Sequence, residues 1–98
     1  MTVNCHVSDL HLFDIAALEN GAQIDVKVRY ASPPVPATME WIEDDTVLIT
    51  FLSPQLALSP GQSAVFYQGN RVLGGGIIQR ALPPADEYMN GQSASPSF

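Results

Sequence analysis

The sequence contains 98 residues, which is the size of one domain. Its formal net charge of −6 excludes a free-standing nucleic-acid binder of the usual basic kind, because an acidic domain repels phosphate at long range. Contact with RNA stays possible if another part of a larger molecule supplies the positive field. The eight prolines and seven glycines predict many turns, and therefore short strands rather than long helices.

Cysteine content and hydropathy indicate a cellular compartment. The chain has a single cysteine, Cys5, so it cannot form an internal disulfide, which fits a reducing environment. No apolar run is long enough to span a bilayer, and we see no signal peptide ahead of the domain. We therefore expect a cytoplasmic protein with no membrane partner.

The first 22 residues allow two interpretations. The segment CHVSDLHLFDIAAL fits a helix in part, and it fits a strand followed by a turn equally well. We favour a strand that leads into a loop ending near Asn20-Gly21. Residues 1–22 are thus expected to be a leading strand and loop that join the main body of the domain.

Residues 23–52 contain three strand patterns. The segment QIDVKVRY at 23–30 alternates apolar and charged side chains, which is typical of a half-buried strand. The proline-rich segment at 31–36 breaks this strand, and a second, weaker pattern follows with Met39 and Trp41 on one side. After the acidic turn Glu43-Asp44-Asp45, the segment TVLITFL at 46–52 is apolar on both faces and predicts a central strand covered on both sides.

The segment SPGQSAVFYQGNRVLGGGIIQR at 59–80 predicts a turn and a hairpin. Ser59-Pro60-Gly61-Gln62 fits a type II turn, with proline at the second position and glycine at the third. Gly69-Asn70 is a two-residue hairpin signal between the strands 63–68 and 71–80. Three consecutive glycines, residues 74–76, interrupt the second strand, where glycine usually marks a bulge, a bend or a close backbone approach.

Five to seven short strands in fewer than 100 residues predict an all-β fold, a small closed antiparallel barrel. Closure would also remove the sheet edges that promote aggregation. We expect the barrel core at 23–82. Residues 83–98 are polar and rich in proline, glycine and serine, and they are expected to be a disordered tail.

The chemically capable residues mostly favour structural interpretations. A phosphate loop would need a helix after the triple glycine, and the pattern stays β. Cys5 lacks an activating base or positive charge, so we interpret it as a small apolar filler. His6 and His11, five residues apart, are expected on opposite faces of a strand and not as metal ligands.

Two further groups of polar residues are candidates for a cation site and for a nucleic-acid contact. The acidic cluster at 43–45 lacks the spacing of a calcium loop and predicts a solvated turn. Arg29, Tyr30 and Gln62 combine a guanidinium, a ring that can stack and an amide that can bind a base or phosphate. Taken alone, this combination is a weak signal beside a solvated strand surface. We identify no catalytic residue and no metal site.

The segment VKVRY at 26–30, together with the whole stretch at 59–80, resembles the C-terminal end of the bacterial tRNA 2-thiouridylase family. The resemblance covers roughly residues 23–82. It implies a C-terminal β-barrel similar to the second domain of elongation factor Tu, in an ATP-dependent sulfurtransferase that thiolates the wobble uridine of tRNA. It also implies that ATP with Mg and the two catalytic cysteines belong to a first domain, followed by a central domain, and that a separate protein delivers sulfur.

The same resemblance assigns tRNA contacts to Arg29, Tyr30 and Gln62. The expected roles are a phosphate or sugar contact for Arg29, packing against the nucleotide for Tyr30, and a donated hydrogen bond for Gln62. No cofactor-binding residue is implied in this chain. We also expect an apolar patch facing the partner domains, formed by Leu56, Leu58 and the region 74–77.

Three alternatives stay open at this point. The leading one is a free-standing, non-enzymatic β-barrel used as a protein-interaction module of the translation-factor type. A flavin-reductase-type barrel is disfavoured, because its Arg-any-Tyr-Ser pattern would need the tyrosine one place later than Tyr30. An aminomethyltransferase-type barrel is closer in shape, and it too would be a partial domain.

Overall fold

The computed structural model describes residues 2–28, 32–55 and 58–82. These residues form six strands and one short 3-10 helix (Ile15–Ala17). The strands are β1 (Thr2–Leu12), β2 (Ala22–Lys27), β3 (Val35–Glu43), β4 (Thr46–Gln55), β5 (Ser63–Gln68) and β6 (Arg71–Leu82).

The strands close into an antiparallel barrel in the order β1-β4-β3-β2-β5-β6. The predicted all-β antiparallel barrel is therefore confirmed. Strand β1 lies between β4 and β6. The barrel wall therefore includes residues before position 23, whereas the sequence predicts a barrel core that begins at residue 23. The predicted tail at 83–98 lies outside the described residues.

The core is filled by the inward side chains of every strand. On β2, Ile24 and Val26 are buried, as the alternation predicts. On β4, the inward side chains are buried, but Leu52 is 59% exposed. The prediction that this strand is covered on both faces is wrong, because the barrel is one layer and no second layer packs on its outside within the described residues.

Both predicted turns are present. In the Ser59–Gln62 turn, Gly61 has φ +93° and the Gln62 amide donates to the Ser59 carbonyl at 3.3 Å, as a type II turn requires. Gly69 adopts φ +62° at the hairpin between β5 and β6.

The triple glycine in β6 marks a close backbone approach on both sides of the strand. A Cβ built on Gly74 or Gly76 would lie within 3.0 Å of β1 backbone atoms, and one on Gly75 would meet the Ala64 carbonyl of β5 just as closely. No helix follows these glycines, since β6 continues to Leu82. The structural interpretation of this motif is therefore confirmed.

A bulge in β1 corrects the prediction for the two histidines. Asp9 adopts φ +53°, and the pairing of β1 with β6 shifts register between Ser8 and His11. The extra residue moves the alternation by one place, so His6 and His11 both lie on the outer face rather than on opposite faces. A separation of five residues along a strand, roughly 16 Å, keeps them apart.

The barrel has two distinct ends. The first, which we call the Trp41 end, consists of residues 13–21 and the turns that follow β3 and β5. The second, the Gln62 end, consists of residues 32–34 and 58–62 with the adjoining ends of β2 and β6. Leu18 covers the core at the Trp41 end and Leu58 covers it at the Gln62 end, and both side chains are buried.

In the part of the chain that the structure describes, no helix is both long and apolar enough to cross a bilayer.

Candidate functional site

Gln62 occupies a backbone position fixed by strand β6. The Gly61 amide donates to the Ile78 carbonyl at 2.8 Å, and the Ile78 amide donates to the Gln62 carbonyl at 2.8 Å. Ile78 is fully buried in the core. Hydrogen bonds therefore join the turn to the barrel wall, and the backbone of Gln62 is held in a fixed position.

The side chain of Gln62 is oriented by its own turn. Its Oε1 accepts a hydrogen bond from the Ser59 amide at 2.9 Å. This contact uses the oxygen and directs the Nε2 amino group away from the turn. Within the described ranges, Nε2 donates to no protein acceptor, so it offers two donors to a ligand.

Arg29 and Tyr30, the other two predicted tRNA contacts, lie outside the described residues. Their described neighbours can be located: Val28 follows the end of β2, and Ser32 precedes β3. Lys27 pairs with Val65 of β5, three residues after Gln62, so β2 ends beside the strand that Gln62 precedes. The chain thus reaches position 28 at the Gln62 end of the barrel.

Arg80 is a cation at the same end, and the sequence alone does not select it as a candidate site residue. It lies two residues after Ile78, whose backbone holds the Gln62 turn, and it is exposed. Its cross-strand partner is His6 on β1. The signal that would have drawn attention to it is the pairing of the turn with β6, which is not visible in the sequence.

Charge is distributed unevenly between the two ends. The Trp41 end carries acidic side chains at residues 14, 19, 43, 44 and 45. In the loops that the structure describes at the Gln62 end, residues 32–34 and 58–62, there is no acidic side chain. Lys27 and Arg80 lie at this end, and Arg71 lies at the other, where it forms an ion pair with Asp14. Among the described residues the two ends therefore differ in charge, because the loops of the Trp41 end are acidic and those of the Gln62 end are not.

Cys5 is buried in the core, consistent with the interpretation as an apolar filler. Burial raises the pKa of its thiol to about 12, which removes the thiolate that a nucleophile needs. Of the acidic segment at 43–45, Glu43 ends β3 and Asp44-Asp45 form the turn to β4; all three residues are exposed, as predicted.

The predicted apolar patch is only partly present. Leu58 is 8% exposed and belongs to the core, so its assignment to a surface patch is wrong; Leu56 lies outside the described residues. The glycines at 74–76 and Ile77 line a shallow groove of about 330 Å³, together with Phe13 and Val72. Phe13 is 75% exposed at its rim.

The sequence matches a family described as the aminomethyltransferase beta-barrel domain over residues 2–78. The chain belongs to this family. The match begins in β1, in agreement with the place of that strand in the barrel wall.

Three tRNA-specific 2-thiouridylases are similar to the chain in sequence. The chain is 45% identical over 76 residues to a protein from Shewanella oneidensis named tRNA-specific 2-thiouridylase MnmA, covering 78% of this chain and 20% of the relative. The protein of the same name from Tolumonas auensis is 54% identical over 55 residues, or 56% of this chain and 15% of the relative. One from Synechococcus is 45% identical over 76 residues, 78% of this chain and 21% of the relative.

These matches confirm the resemblance to the 2-thiouridylase family. The chain spans about a fifth of the length of the relatives from Shewanella oneidensis and Synechococcus.

Proposed function

We propose that this barrel is the C-terminal, tRNA-positioning domain of an ATP-dependent tRNA 2-thiouridylase. The observation that carries the proposal is the Gln62 amide: its oxygen is held by the Ser59 amide at 2.9 Å, and its amino group is left to donate. The similarity to tRNA-specific 2-thiouridylases over 76 residues supplies the ligand that such a donor would meet.

The mechanism is positional. Gln62 donates to the sugar-phosphate backbone or a base edge, while Arg29 contacts phosphate or sugar and Tyr30 packs against the nucleotide. The barrel thereby holds the wobble uridine at an active site in another domain, and this converts an encounter between two molecules into a step within one complex.

The chemistry belongs to the other domains of the same enzyme. In this proposal ATP with Mg binds a first domain that also holds the catalytic cysteines, a central domain follows, and a sulfur-donor protein delivers the sulfur. Cys5 takes no part in it, since a buried thiol with a pKa near 12 cannot exchange sulfur at neutral pH. The enzyme works in the cytoplasm, where tRNA is modified.

The proposal is tested by measuring tRNA binding to this chain, with Gln62→Glu compared with Gln68→Glu. Both changes add one negative charge, but Gln68 lies at the Trp41 end and is exposed. In Gln62→Glu the carboxylate still accepts from the Ser59 amide, so the turn is kept while the donor is lost. We expect about tenfold weaker binding for Gln62→Glu and less than about twofold for Gln68→Glu, the difference corresponding to one hydrogen bond to a charged group.

The affinity should be measured by NMR titration at low salt, because a single acidic domain binds RNA weakly. Equal effects of the two substitutions would refute a local role for Gln62. No binding of tRNA by the unmodified chain would favour the protein-interaction module instead.

A further inference from the structure

The cation beside the Gln62 turn has no assigned role. Arg80 is exposed, and within the described part of the structure it makes no ion pair, whereas Arg71 on the same strand is paired with Asp14. In a chain with four cations and ten acids, an exposed arginine that has no ion-pair partner among the described residues is available to a negatively charged ligand.

The position of Arg80 follows from an irregularity in β6. Val7 pairs with Ile78 and His6 with Arg80, so Gln79 is an extra residue between the two pairs. Val7 and Ile78 point into the core, and the bulge directs both Gln79 and Arg80 outward. Without the extra residue, strand alternation would place residue 80 on the inner face with Ile78.

The neighbours of Arg80 leave the outer face accessible to an anion. On one side lies β1, with His6 opposite Arg80. On the other side β5 begins only at Ser63, opposite Ile77, so the Ser59–Gln62 turn is the next element along β6. None of these neighbours is acidic. The acidic residues nearest in the sequence, Asp86 and Glu87, lie outside the described residues.

We propose that Arg80 is a second RNA-positioning residue, which binds a backbone phosphate of the tRNA next to the nucleotide contacted by Gln62. This inference rests on the proposed function of the domain. A guanidinium suits the role because its planar group of donors matches the oxygens of a phosphate. The contact fixes the orientation of the barrel on the RNA and carries no sequence information.

The difference in charge between the two ends favours one orientation of the domain on the RNA. The acidic side chains at the Trp41 end are repelled by the phosphate backbone, while Arg80 is attracted to it. The domain therefore approaches RNA with the Gln62 end first, although its overall charge is negative.

The decisive experiment compares Arg80→Gln with Arg71→Gln in tRNA binding by this chain over a range of salt concentrations. Both variants remove one positive charge from β6, and both side chains are exposed, so folding is preserved. Arg71→Gln also leaves Asp14 without its ion-pair partner, so a purely long-range effect would be at least as large there. We expect Arg80→Gln to weaken binding about threefold to tenfold at low salt and to reduce the slope of log K against log salt by about 0.7–0.9.

Arg71→Gln should change the affinity less than about twofold and leave the slope intact. Arg80→Lys should recover most of the slope, because the charge is restored. Equal effects of Arg80→Gln and Arg71→Gln would overturn the role of Arg80, even where Gln62→Glu weakens binding and the proposed function stands. If the unmodified chain does not bind tRNA at all, both proposals fail.

Discussion

The two ends of the barrel differ in how their polar groups are satisfied. At the Trp41 end, the Trp41 indole donates to the Leu18 carbonyl at 2.7 Å, and the Trp41 amide donates to the Asn20 Oδ1 at 2.7 Å. The Phe13 amide donates to the Leu73 carbonyl at 2.8 Å, and Arg71 is paired with Asp14. At the Gln62 end, the backbone of the Ser59–Gln62 turn is bonded to β6, but Gln62 Nε2 and Arg80 have no partner within the described residues.

This difference separates stability from binding within one small domain. Donors that are paired internally contribute to folding, and donors that are held in place but left unpaired can contribute to recognition. We therefore expect substitutions at the Trp41 end to lower the free energy of unfolding without affecting RNA binding. Substitutions of Gln62 and Arg80 should weaken RNA binding without lowering the free energy of unfolding.

The largest effect is expected for Leu18→Ala. Leu18 is 2% exposed and covers the core at the Trp41 end, so its removal leaves a cavity costing about 2–5 kcal/mol of unfolding free energy. Chemical denaturation should show this loss, while Leu52→Ala, at a position 59% exposed, should change stability by less than about 0.5 kcal/mol. A loss below about 1 kcal/mol for Leu18→Ala would mean that residues 13–21 do not close the barrel.

The thiol of Cys5 tests whether the core stays dry toward the Gln62 end, since its strand partners are Ile49 and Ala81. Burial raises its pKa from an ordinary value of 9.0 to about 12. The folded protein therefore holds its thiol proton at a pH where the unfolded chain releases it. The thiol leaves stability unchanged below pH 9, and about 1.4 kcal/mol should be lost per pH unit as the pH rises from 9 towards 12.

The measurement is the denaturation free energy of the unmodified chain against Cys5→Ala between pH 8 and 11. The difference between the two proteins should fall with pH, because alanine has no proton to lose. A constant difference would show that water reaches the thiol through one of the ends.

The sequence predicts the strands and turns of the barrel better than it predicts which side chains are buried or exposed. Alternation located β2, and Pro60-Gly61 and Gly69-Asn70 located the turns, because these signals act over a few residues. Alternation gave the wrong faces for His6 and His11, because the bulge at Asp9 depends on pairing with a distant strand. The exposure of Leu52 was not predicted either, because a single-layer wall also depends on distant strands. Leu58 was assigned to a surface for the same reason: nothing local distinguishes a leucine that covers a core from one that is exposed.

The candidate site divides in the same way. Gln62 was predicted from a family resemblance, and the structure adds the Ser59 contact that orients it. Arg80 could not be selected from the sequence, because its relation to Gln62 runs through Ile78, sixteen positions along the chain from the turn residue. The roles of Arg29 and Tyr30 stay predictions.

Gly61→Ala connects the two properties at the Gln62 end. A Cβ there meets no atom within 4 Å, so its cost is backbone strain alone at φ +93°, about 1–2 kcal/mol. Relief of this strain by opening the turn would move Gln62, and we expect tRNA binding to weaken along with stability. Asparagine tolerates positive φ better than alanine, so Gly61→Asn should keep most of the stability and most of the tRNA affinity. Denaturation and titration experiments measure the two quantities. Loss of stability with unchanged binding would show that the turn does not position Gln62.

The smallest effect on stability is expected for Arg71→Gln. The Arg71–Asp14 pair is solvent-exposed on the arginine side, where the side chain is 58% accessible, and such pairs contribute about 0–1 kcal/mol. Thermal denaturation at low and high salt should show a loss below about 0.5 kcal/mol that disappears as salt screens the charges. A larger, salt-independent loss would mean that Arg71 fastens residues 13–21 to β6. The Trp41 end would then depend on its surface charges as much as on Leu18. The difference between a stabilising end and a binding end would in that case follow from the two arginines of β6, since Arg71 is paired with Asp14 and Arg80 has no partner among the described residues.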